Sequence, residues 1–345
     1  MLPINLVEYE RLAEQRIEPA AWDFFATGVG DETTLRENHA AFERIRLRPR
    51  VLVDVSTVSL ATTVLGAPVS MPILVAPSSA HGLAHPDAER ATAQGAGAAG
   101  ALMVASTEST ASLEEIGAAA TGPLWFQLYV YRNRHVAETL VRRAEDAGYR
   151  AIVLTVDLPT WARQERAMRS EEQRRWPPQG NLPGLSGADL DPYNLTWRDL
   201  DWLRAHTSLP LVLKGILTAE DAALAVEQGV EGIVVSNHGG RALDGAPATI
   251  EALPEVVEAV ARRCEVYLDG GVRRGTDALK ALALGARGVL VGRPVLWGLA
   301  VDGAQGVQHV LELLRAELER AMALSGAPSL ARISSALASS KESRP

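Results

Sequence analysis

Short apolar runs alternate with alanine-rich stretches along most of this chain, from residue 72 onward. Each run ends in polar or small residues and leads into a segment whose apolar positions have helical spacing. Strands that are apolar throughout and alternate with helices indicate a parallel sheet covered by helices. The eight runs span residues 73–76, 102–105, 125–128, 151–156, 211–213, 232–235, 266–268 and 288–291. Eight such units predict an α/β fold of the (β/α)8 TIM-barrel type, with a doubly wound open sheet as the alternative.

The first 70 residues depart from this pattern and predict a cap on the barrel. Residues 5–45 have the spacing of partly amphipathic helices, and residues 47–64 hold β-branched residues and Pro49, which predicts a short irregular hairpin. We therefore expect one domain over residues 1–345, because barrels reach this size as single domains. It would consist of a helical and hairpin cap at 1–70, the barrel at 71–325 and a flexible tail at 334–345.

The connection after the fourth strand is much longer than the others. Between Asp157 and a helix predicted near Thr196, the sequence is rich in arginine, proline and glycine. A connection of this length in a compact domain is typical of a lid over a site or of a mobile, solvated segment. For any single arginine of this loop we expect solvent exposure, with substrate contact as the alternative.

Composition and charge narrow the function classes. The chain has 345 residues, 47% of them hydrophobic, so a large core is available. Its 42 acidic against 34 basic residues give a net charge of −8, which argues against a general binder of nucleic acid or anionic membrane. Cys264 is the only cysteine, so no internal disulfide can form. The sequence after Met1 lacks a secretory signal pattern and no uncharged apolar run reaches membrane-spanning length, so we expect a cytoplasmic protein.

The residues that close the apolar runs are the candidates for chemistry, because barrel ligands gather at the carboxyl ends of the strands. Polar residues that merely face water would explain a few of them, but not a lysine, a histidine and three arginines at one mouth. Within them, His238 and Arg241 flank two glycines directly after a buried run, which aims a base and a cation at one small molecule. The candidates are Pro77, Ser78, Ser79, Ser106, Glu108, Gln127, Tyr129, Thr155, Asp157, Lys214, Ser236, His238, Arg241, Asp269, Gly270, Gly271, Arg273, Gly292 and Arg293.

The last two strands are followed by residues suited to a phosphate. Arg273 and Arg293 each follow glycines there, where barrel enzymes hold phosphate with backbone N–H groups. No G-x-G-x-x-G follows an early strand, as a nicotinamide dinucleotide would need. His81 and His85 are four residues apart but lack a third partner, so no metal is expected. A flavin fits best, with Ser106, Gln127, Thr155 and Lys214 around its ring.

The motifs closely resemble the FMN-dependent 2-hydroxy acid oxidase family, which includes glycolate oxidase, lactate oxidase, mandelate dehydrogenase and 4-hydroxymandelate oxidase. The resemblance covers nearly the whole chain. It is carried by Lys214-Gly, Ser236-Asn-His-Gly-Gly-Arg241-Ala-Leu-Asp244, Asp269-Gly-Gly-Val-Arg-Arg-Gly-Thr-Asp277 and Val291-Gly-Arg-Pro294. It implies FMN as cofactor, a small 2-hydroxy acid as substrate and a homo-oligomer of four or more copies.

The same resemblance implies roles for single residues. His238 would be the base that takes the α-proton or the hydroxyl proton, leaving carbanion and hydride transfer both open. Asp157 would pair with the resulting imidazolium, Arg241 would grip the substrate carboxylate, and Tyr129 would bond an oxygen near the reacting carbon. The FMN ring and ribityl chain would contact Pro77, Ser78, Ser79, Ser106, Gln127, Thr155, Lys214 and Ser236. Ribityl and phosphate would be held by Asp269, Gly270, Gly271, Arg273, Gly292 and Arg293.

Four departures from the family pattern bear on the substrate. Phe24 replaces a tyrosine that helps to bind the carboxylate, and Gln164 replaces a second carboxylate-binding arginine, with Arg163 or Arg166 as possible substitutes. Ser79 stands where a small residue near flavin N5 affects the reaction with oxygen. Glu108 stands where glycolate oxidases have tryptophan; an acid there repels an anion or recognises a hydroxyl or amine on a larger substrate.

The resulting hypothesis is an FMN-dependent oxidation of a bulky or aromatic, mandelate-like (S)-2-hydroxy acid, with Phe24, Glu108, Tyr129, Arg163, His238 and Arg241 as the substrate-binding residues. O2 would be the electron acceptor and H2O2 a product. One alternative is a dehydrogenase or tailoring enzyme that uses another acceptor or a substrate that is not a small free acid. Another, of a different class, is a flavin-binding barrel without catalysis, against which the retained polar set at the barrel mouth argues.

Overall fold

The structure is a computed structural model that describes residues 2–185 and 187–340, and it begins with a cap of helices. The first, α1, buries Leu6, Tyr9 and Ala13 on one side, and the side chain of Asn5 accepts the Glu8 N–H at its start. The predicted helical region of residues 5–45 is thus confirmed, as three helices and a following strand. These elements are α1 (Leu6–Arg16), α2 (Pro19–Ala26), α3 (Thr33–Arg44) and β1 (Ile45–Leu47).

Two short sheets outside the barrel correct the sequence prediction. The hairpin is formed by β2 (Thr62–Val64) and β3 (Ala67–Val69), so its placement at 47–64 was wrong. Strand β1 pairs instead with β12 (Ala338–Ser340) in antiparallel register. The prediction of a flexible tail is therefore wrong for residues 338–340, and residues 341–345 lie outside the described residues. The partner of β1 is nearly 300 residues away, and no local pattern indicates such a pairing.

Eight parallel strands form a closed barrel, which confirms the predicted fold class. Each pairs with its neighbour in the chain, and the last pairs with the first to close the cylinder. Their residues are almost entirely buried because helices cover the outside and packed side chains fill the inside. The strands are β4 (Ile73–Val75), β5 (Met103–Ala105), β6 (Leu124–Leu128), β7 (Ile152–Thr155), β8 (Leu211–Ile216), β9 (Gly232–Val235), β10 (Glu265–Leu268) and β11 (Gly288–Val291).

Helices follow each strand and complete the eight units. Ser112 caps one of them with a reciprocal capping box, and the Thr218 side chain accepts the Asp221 N–H at the start of another. The last helix is interrupted at Asp302 and Gly303. The helices are α4 (Ala88–Ala98), α5 (Leu113–Ala119), α6 (Arg134–Asp146), α7 (Glu165–Arg169), α8 (Asp199–Arg204), α9 (Ala219–Glu227), α10 (Thr249–Val260), α11 (Gly275–Ala283) and α12 (Arg293–Leu324).

The barrel interior is closed at one end only. Trp125 and Tyr267 meet edge to face inside it, with ring centroids 5.5 Å apart. Val64 and Val69 of the hairpin join the same interior cluster, and the Leu65 N–H reaches Glu265 at the start of β10, so the hairpin covers the amino ends of the strands. The carboxyl ends are left for a site. No described helix is both long and apolar enough to cross a membrane.

The long loop after β7 lies against the cap. It contains α7, and the Ser170 hydroxyl donates to Asp23 of α2 at 3.0 Å. Ala167 of α7 is buried in the same region. Of the two expectations for this loop, its contacts favour a lid over the carboxyl ends of the strands.

Candidate active site

A cavity of about 900 Å³ opens at the carboxyl ends of the strands, between the barrel, the cap and the long loop. This volume is near the upper end of the range of ~300–1,000 Å³ for cofactor and ligand sites. Of the predicted site residues, only Asp157 and Ser236 do not line it. Those that do are Phe24, Pro77, Ser78, Ser79, Ser106, Glu108, Gln127, Tyr129, Thr155, Arg163, Lys214, His238, Arg241, Asp269, Gly270, Gly271, Arg273, Gly292 and Arg293.

The turn after β9 presents His238 to the cavity. His238, Gly239 and Gly240 all have positive φ, at 60°, 65° and 76°, a conformation that strains any residue except glycine. The Ser236 hydroxyl supports this turn by accepting the His238 backbone N–H at 3.0 Å. Ser236 itself is fully buried and does not reach the cavity. The Ser236 hydroxyl therefore holds the turn that presents His238, and its contact with the cofactor stays a prediction.

His238 and Asp157 form the central polar pair. The Nδ1 atom of His238 lies 3.0 Å from Oδ1 of Asp157, which comes from the end of β7. With the Nδ1–H donated to the carboxylate, the neutral ring keeps Nε2 free to accept a proton. The second carboxylate oxygen, Oδ2, is buried without a hydrogen-bond partner among the described residues. Asp157 thus lies behind His238 and acts on the cavity through it.

The electrostatics keep this pair ready for proton transfer. Burial, followed by the charge of Lys214, lowers the pKa of His238, although Asp157 opposes the shift. His238 is therefore neutral at neutral pH and is a base. Burial alone would raise the pKa of Asp157, but its interactions with the His238 ring, including their hydrogen bond, and with the charge of Lys214 outweigh burial and lower that pKa. The aspartate is consequently ionised and stabilises an imidazolium.

Tyr129 stands on the other side of the imidazole. Its hydroxyl oxygen lies 3.4 Å from Nε2 of His238, so both atoms face the same point in the cavity. Burial, and then the charges of Glu108 and Asp157, raise the pKa of Tyr129. Its hydroxyl therefore keeps its proton and is a hydrogen-bond donor to a ligand oxygen. The Trp161 ring meets the Tyr129 ring edge to face at 6.0 Å.

Arg241 brings a positive charge to the same cavity. Its Nη1 donates to the carbonyl oxygens of Phe24 and Thr27 at 2.6 and 3.1 Å, which joins the cap to the β9 turn. The guanidinium carbon lies 5.0 Å from the centroid of the Phe24 ring. Burial, and then the charge of Arg293, lower the pKa of Arg241 to about 9, so it remains a cation at neutral pH. The remaining N–H groups are available to an anion.

Three acidic residues line the cavity among the described residues, namely Glu108, Asp269 and Glu171 of the lid. The two carboxyl oxygens of Glu108 accept hydrogen bonds from the Ser79 hydroxyl at 3.2 Å and from the Tyr131 hydroxyl at 3.3 Å. Burial raises the pKa of Glu108, and these two bonds only partly offset it. Ser79 is consequently turned toward Glu108.

A chain of polar groups crosses the barrel mouth. The Gln127 amide oxygen accepts from the Ser106 hydroxyl at 3.2 Å, and its nitrogen donates to Thr155 at 3.0 Å. Lys214 reaches Asp269 at 3.5 Å, and both side chains are almost completely buried. The Oδ1 atom of Asp269 is buried without a partner among the described residues. A hydroxyl-bearing ligand such as the ribityl chain of FMN would satisfy this oxygen, so the residues fit that cofactor.

The far end of the cavity suits a phosphate. Arg273 and Arg293 line it together with Gly270, Gly271 and Gly292. Burial lowers the pKa of each of these two arginines to about 10, and each remains charged at neutral pH. The three side-chain nitrogens of Arg293 also donate hydrogen bonds to the carbonyl oxygens of Phe25, Gly239 and Thr27. Arg293 therefore lines the cavity and also joins the cap to the barrel. That second contact was not predicted.

The loop contributes residues that sequence reasoning missed. Trp161, Arg174 and Trp176 line the cavity, and nothing in the loop's composition singles them out. Arg163 lines it as well but is exposed, and Arg166 pairs with Glu32 of the cap at 3.2 Å. Within the described residues no group of three or more His, Cys, Asp or Glu is placed to hold a metal.

Comparisons with known proteins agree with this geometry. A family model described as FMN-dependent dehydrogenase matches residues 13–340. A peroxisomal (S)-2-hydroxy-acid oxidase of Oryza sativa subsp. japonica is 51% identical over 349 residues, which cover 96% of this chain and 94% of the relative. An L-lactate oxidase of a Nostoc species is 53% identical over 352 residues, covering 95% and 96%. A crystal structure of mandelate oxidase is similar with a TM-score of 0.91 and 45% identity, covering 96% of both chains.

Proposed function

The chain belongs to the FMN-dependent dehydrogenase family, and from that premise we propose that it oxidises (S)-2-hydroxy acids to 2-oxo acids with O2 as the acceptor. The substrate loses two protons and two electrons at its C–H and O–H groups, and O2 takes up both to give H2O2. The observation that carries the proposal is the His238–Asp157 pair, whose free Nε2 faces the same cavity as Arg241.

His238 is the proposed base. Its Nε2 accepts a proton from the substrate's α-carbon or hydroxyl, and the ionised Asp157 at 3.0 Å stabilises the imidazolium that forms. Tyr129 donates its hydroxyl to the substrate oxygen next to the reacting carbon. Because that hydroxyl is 3.4 Å from Nε2, the donor and the base address neighbouring atoms of one substrate.

Arg241 is the proposed carboxylate anchor. A guanidinium offers two parallel N–H groups that match the two oxygens of a carboxylate. Its position on the same turn as His238, three residues away, fixes the distance between the anchored carboxylate and the base.

FMN, when bound, supplies the two-electron oxidant. The residues that would hold its ring are Ser78, Ser106, Gln127, Thr155 and Lys214, and those that would hold ribityl and phosphate are Asp269, Gly270, Gly271, Arg273, Gly292 and Arg293. The partnerless Oδ1 of Asp269 and the paired arginine charges support this division of the cavity.

The cavity further supports a bulky or aromatic substrate, as in mandelate. Phe24, Trp161 and Trp176 line the cavity and make part of its wall aromatic, which suits contact with an aryl group. Glu108 beside them would accept a hydrogen bond from a hydroxyl or amine on that aryl group. A solved mandelate oxidase with (S)-4-hydroxymandelic acid, 44% identical with a TM-score of 0.90, shows that a related barrel takes such a ligand.

The proposal is tested on purified protein. It should be yellow, (S)-mandelate should bleach the flavin absorbance without oxygen, and H2O2 should accumulate in air. The His238→Ala variant should keep FMN but no longer bleach. Protein that takes up no FMN, or a variant that bleaches at the wild-type rate, would refute the mechanism. Transfer of electrons to a dye but not to O2 would refute the oxidase assignment.

An assembly of four or more copies and a cytoplasmic location stay predictions from the sequence. Exposed apolar residues such as Val51 and Leu52, at 81% and 103% exposure, support self-association. Light scattering coupled to size-exclusion chromatography tests the assembly, and fluorescence microscopy of the tagged protein in its own cell tests the location.

A further inference from the structure

Arg174 is a buried arginine in the lid. It follows a short turn of 3-10 helix in the loop after β7, and only 4% of its side chain is exposed. It lines the same cavity as His238 and Arg241. Arg174 has no role in the proposed mechanism.

The N–H groups of the Arg174 guanidinium have few hydrogen-bond acceptors among the described residues. Its Nε is buried without a hydrogen-bond partner in the described residues, and Nη1 reaches the Ala20 carbonyl at a long 3.4 Å. The nearest acid, Glu171, is 4.0 Å away and its side chain is 58% exposed. A buried cation with unsatisfied N–H groups costs free energy unless an anion accepts them.

Two aromatic rings place this guanidinium beside Arg241. The guanidinium carbon of Arg174 lies 4.4 Å from the Trp176 ring centroid and 5.0 Å from that of Phe24. The guanidinium carbon of Arg241 lies 5.0 Å from the same Phe24 ring. Both cations therefore border one small region of the cavity, and a phenyl ring there accommodates two positive charges.

We propose that Arg174 binds the substrate carboxylate together with Arg241. This inference rests on the proposed function and specifies its anion site. The lid arginine takes the place left by Gln164, whereas Arg163, which the sequence suggested, is exposed and is solvated by water. A desolvated guanidinium attracts a carboxylate more strongly than an exposed one does, because the local dielectric constant is lower.

The test measures binding of benzoate, a carboxylate that cannot be oxidised here, to FMN-loaded protein through the change in flavin absorbance. Benzamide is the neutral control ligand. Arg174→Gln should raise the Kd of benzoate on the order of 10- to 100-fold, the usual loss for a hydrogen bond to a charged group, and leave that of benzamide unchanged. Arg174→Lys should lose less. The matched control is Arg175→Gln, at an exposed arginine of the same loop that does not line the cavity, and it should change neither Kd. Arg163→Gln is measured in parallel because Arg163 is the alternative anchor.

Several outcomes would overturn the proposal. Equal weakening of benzoate and benzamide would show that Arg174 only holds the lid in place. An unchanged benzoate Kd in Arg174→Gln, or a larger loss in Arg163→Gln, would also exclude it. FMN content and the thermal midpoint verify that the variants fold. Because benzoate binding needs no turnover, wild-type protein that binds benzoate but oxidises no 2-hydroxy acid would refute the proposed function alone.

Discussion

Oδ1 of Asp157 lies 3.0 Å from Nδ1 of His238, and the two side chains are only 9% and 20% exposed. The pair is therefore largely shielded from water. In such an environment the interaction between two charges is stronger than at the protein surface, because the local dielectric constant is lower. The carboxylate orients the ring and raises the basicity that burial lowers. Because Asp157 does not line the cavity, its effect on a substrate must pass through His238.

Replacement of Asp157 by asparagine should reduce the rate of anaerobic flavin bleaching on the order of 10²–10⁴-fold, because the imidazolium loses its counter-charge. The same change should lower the pKa of His238 further. Since the neutral ring is the proposed base, activity should fall as pH drops through that pKa, and this acid limb should move to lower pH in the variant. Stopped-flow rates across the acidic and neutral range measure both effects. An acid limb that moves upward, or a rate that is unchanged, would contradict the pairing.

Glu108 should make substrate binding depend on pH. Burial raises its pKa, so the carboxyl is neutral at pH values below that pKa and negative above it. An anionic substrate is then repelled as pH rises, and the KM for (S)-mandelate should increase. Glu108→Gln keeps the size of the side chain without the charge, so its KM should rise less with pH. The informative quantity is the ratio of the two KM values at each pH, since His238 titrates in both enzymes. A constant ratio would show that Glu108 does not change charge in the working range.

The Ser236→Ala variant tests whether this serine acts through its hydrogen bond to the His238 N–H or through its predicted contact with FMN. The variant leaves the His238 N–H without its acceptor, in a turn where His238 already has a φ of 60°. We expect kcat to fall about tenfold, the effect of about 1.4 kcal/mol, with FMN affinity unchanged. FMN affinity is measured by fluorescence titration of the apoprotein. Weaker FMN binding at an unchanged kcat would instead support the predicted contact of Ser236 with the cofactor.

Gly271→Ala should destabilise the fold through the contact between barrel and cap. A Cβ atom there would lie 1.9 Å from the Asn38 carbonyl oxygen in α3, and φ is +85°. We expect a loss of about 3 kcal/mol or more in the free energy of unfolding. Gly245→Ala is the matched control, because its φ is +83° but nothing lies within 4 Å, so only backbone strain of about 1–2 kcal/mol remains. Urea denaturation of the apoproteins compares them, and equal losses would show that α3 moves aside without cost.

The sequence predicts the barrel well because the evidence for it is local. Each strand is an apolar run and the helices between them have their own spacing, two of them with a cap at Ser112 and Thr218, so eight units can be counted without knowing any contact. The site follows from the fold, since strand ends share one mouth, and His238, Tyr129 and Lys214 do lie there.

The remaining features depend on contacts between distant segments. Ser236 is fully buried and its hydroxyl accepts the His238 N–H, a contact that depends on the positive φ angles of the turn after β9. Arg174 is one of several arginines in a loop without periodicity, and its burial depends on Phe24 and Trp176 packing against it. The β1–β12 pairing likewise has no local signal.

The contacts that hold the cap come from the far end of the chain. Arg293 binds carbonyls of Phe25 and Thr27, and residues 338–340 pair with β1. On a ribosome the cap is made first and these partners last, at ~5–20 residues per second, so the cap helices wait roughly 15 to 60 seconds for them. Nascent chains therefore expose the apolar side of α1 and α2 for most of their synthesis, and chaperone capacity should limit the yield of soluble protein.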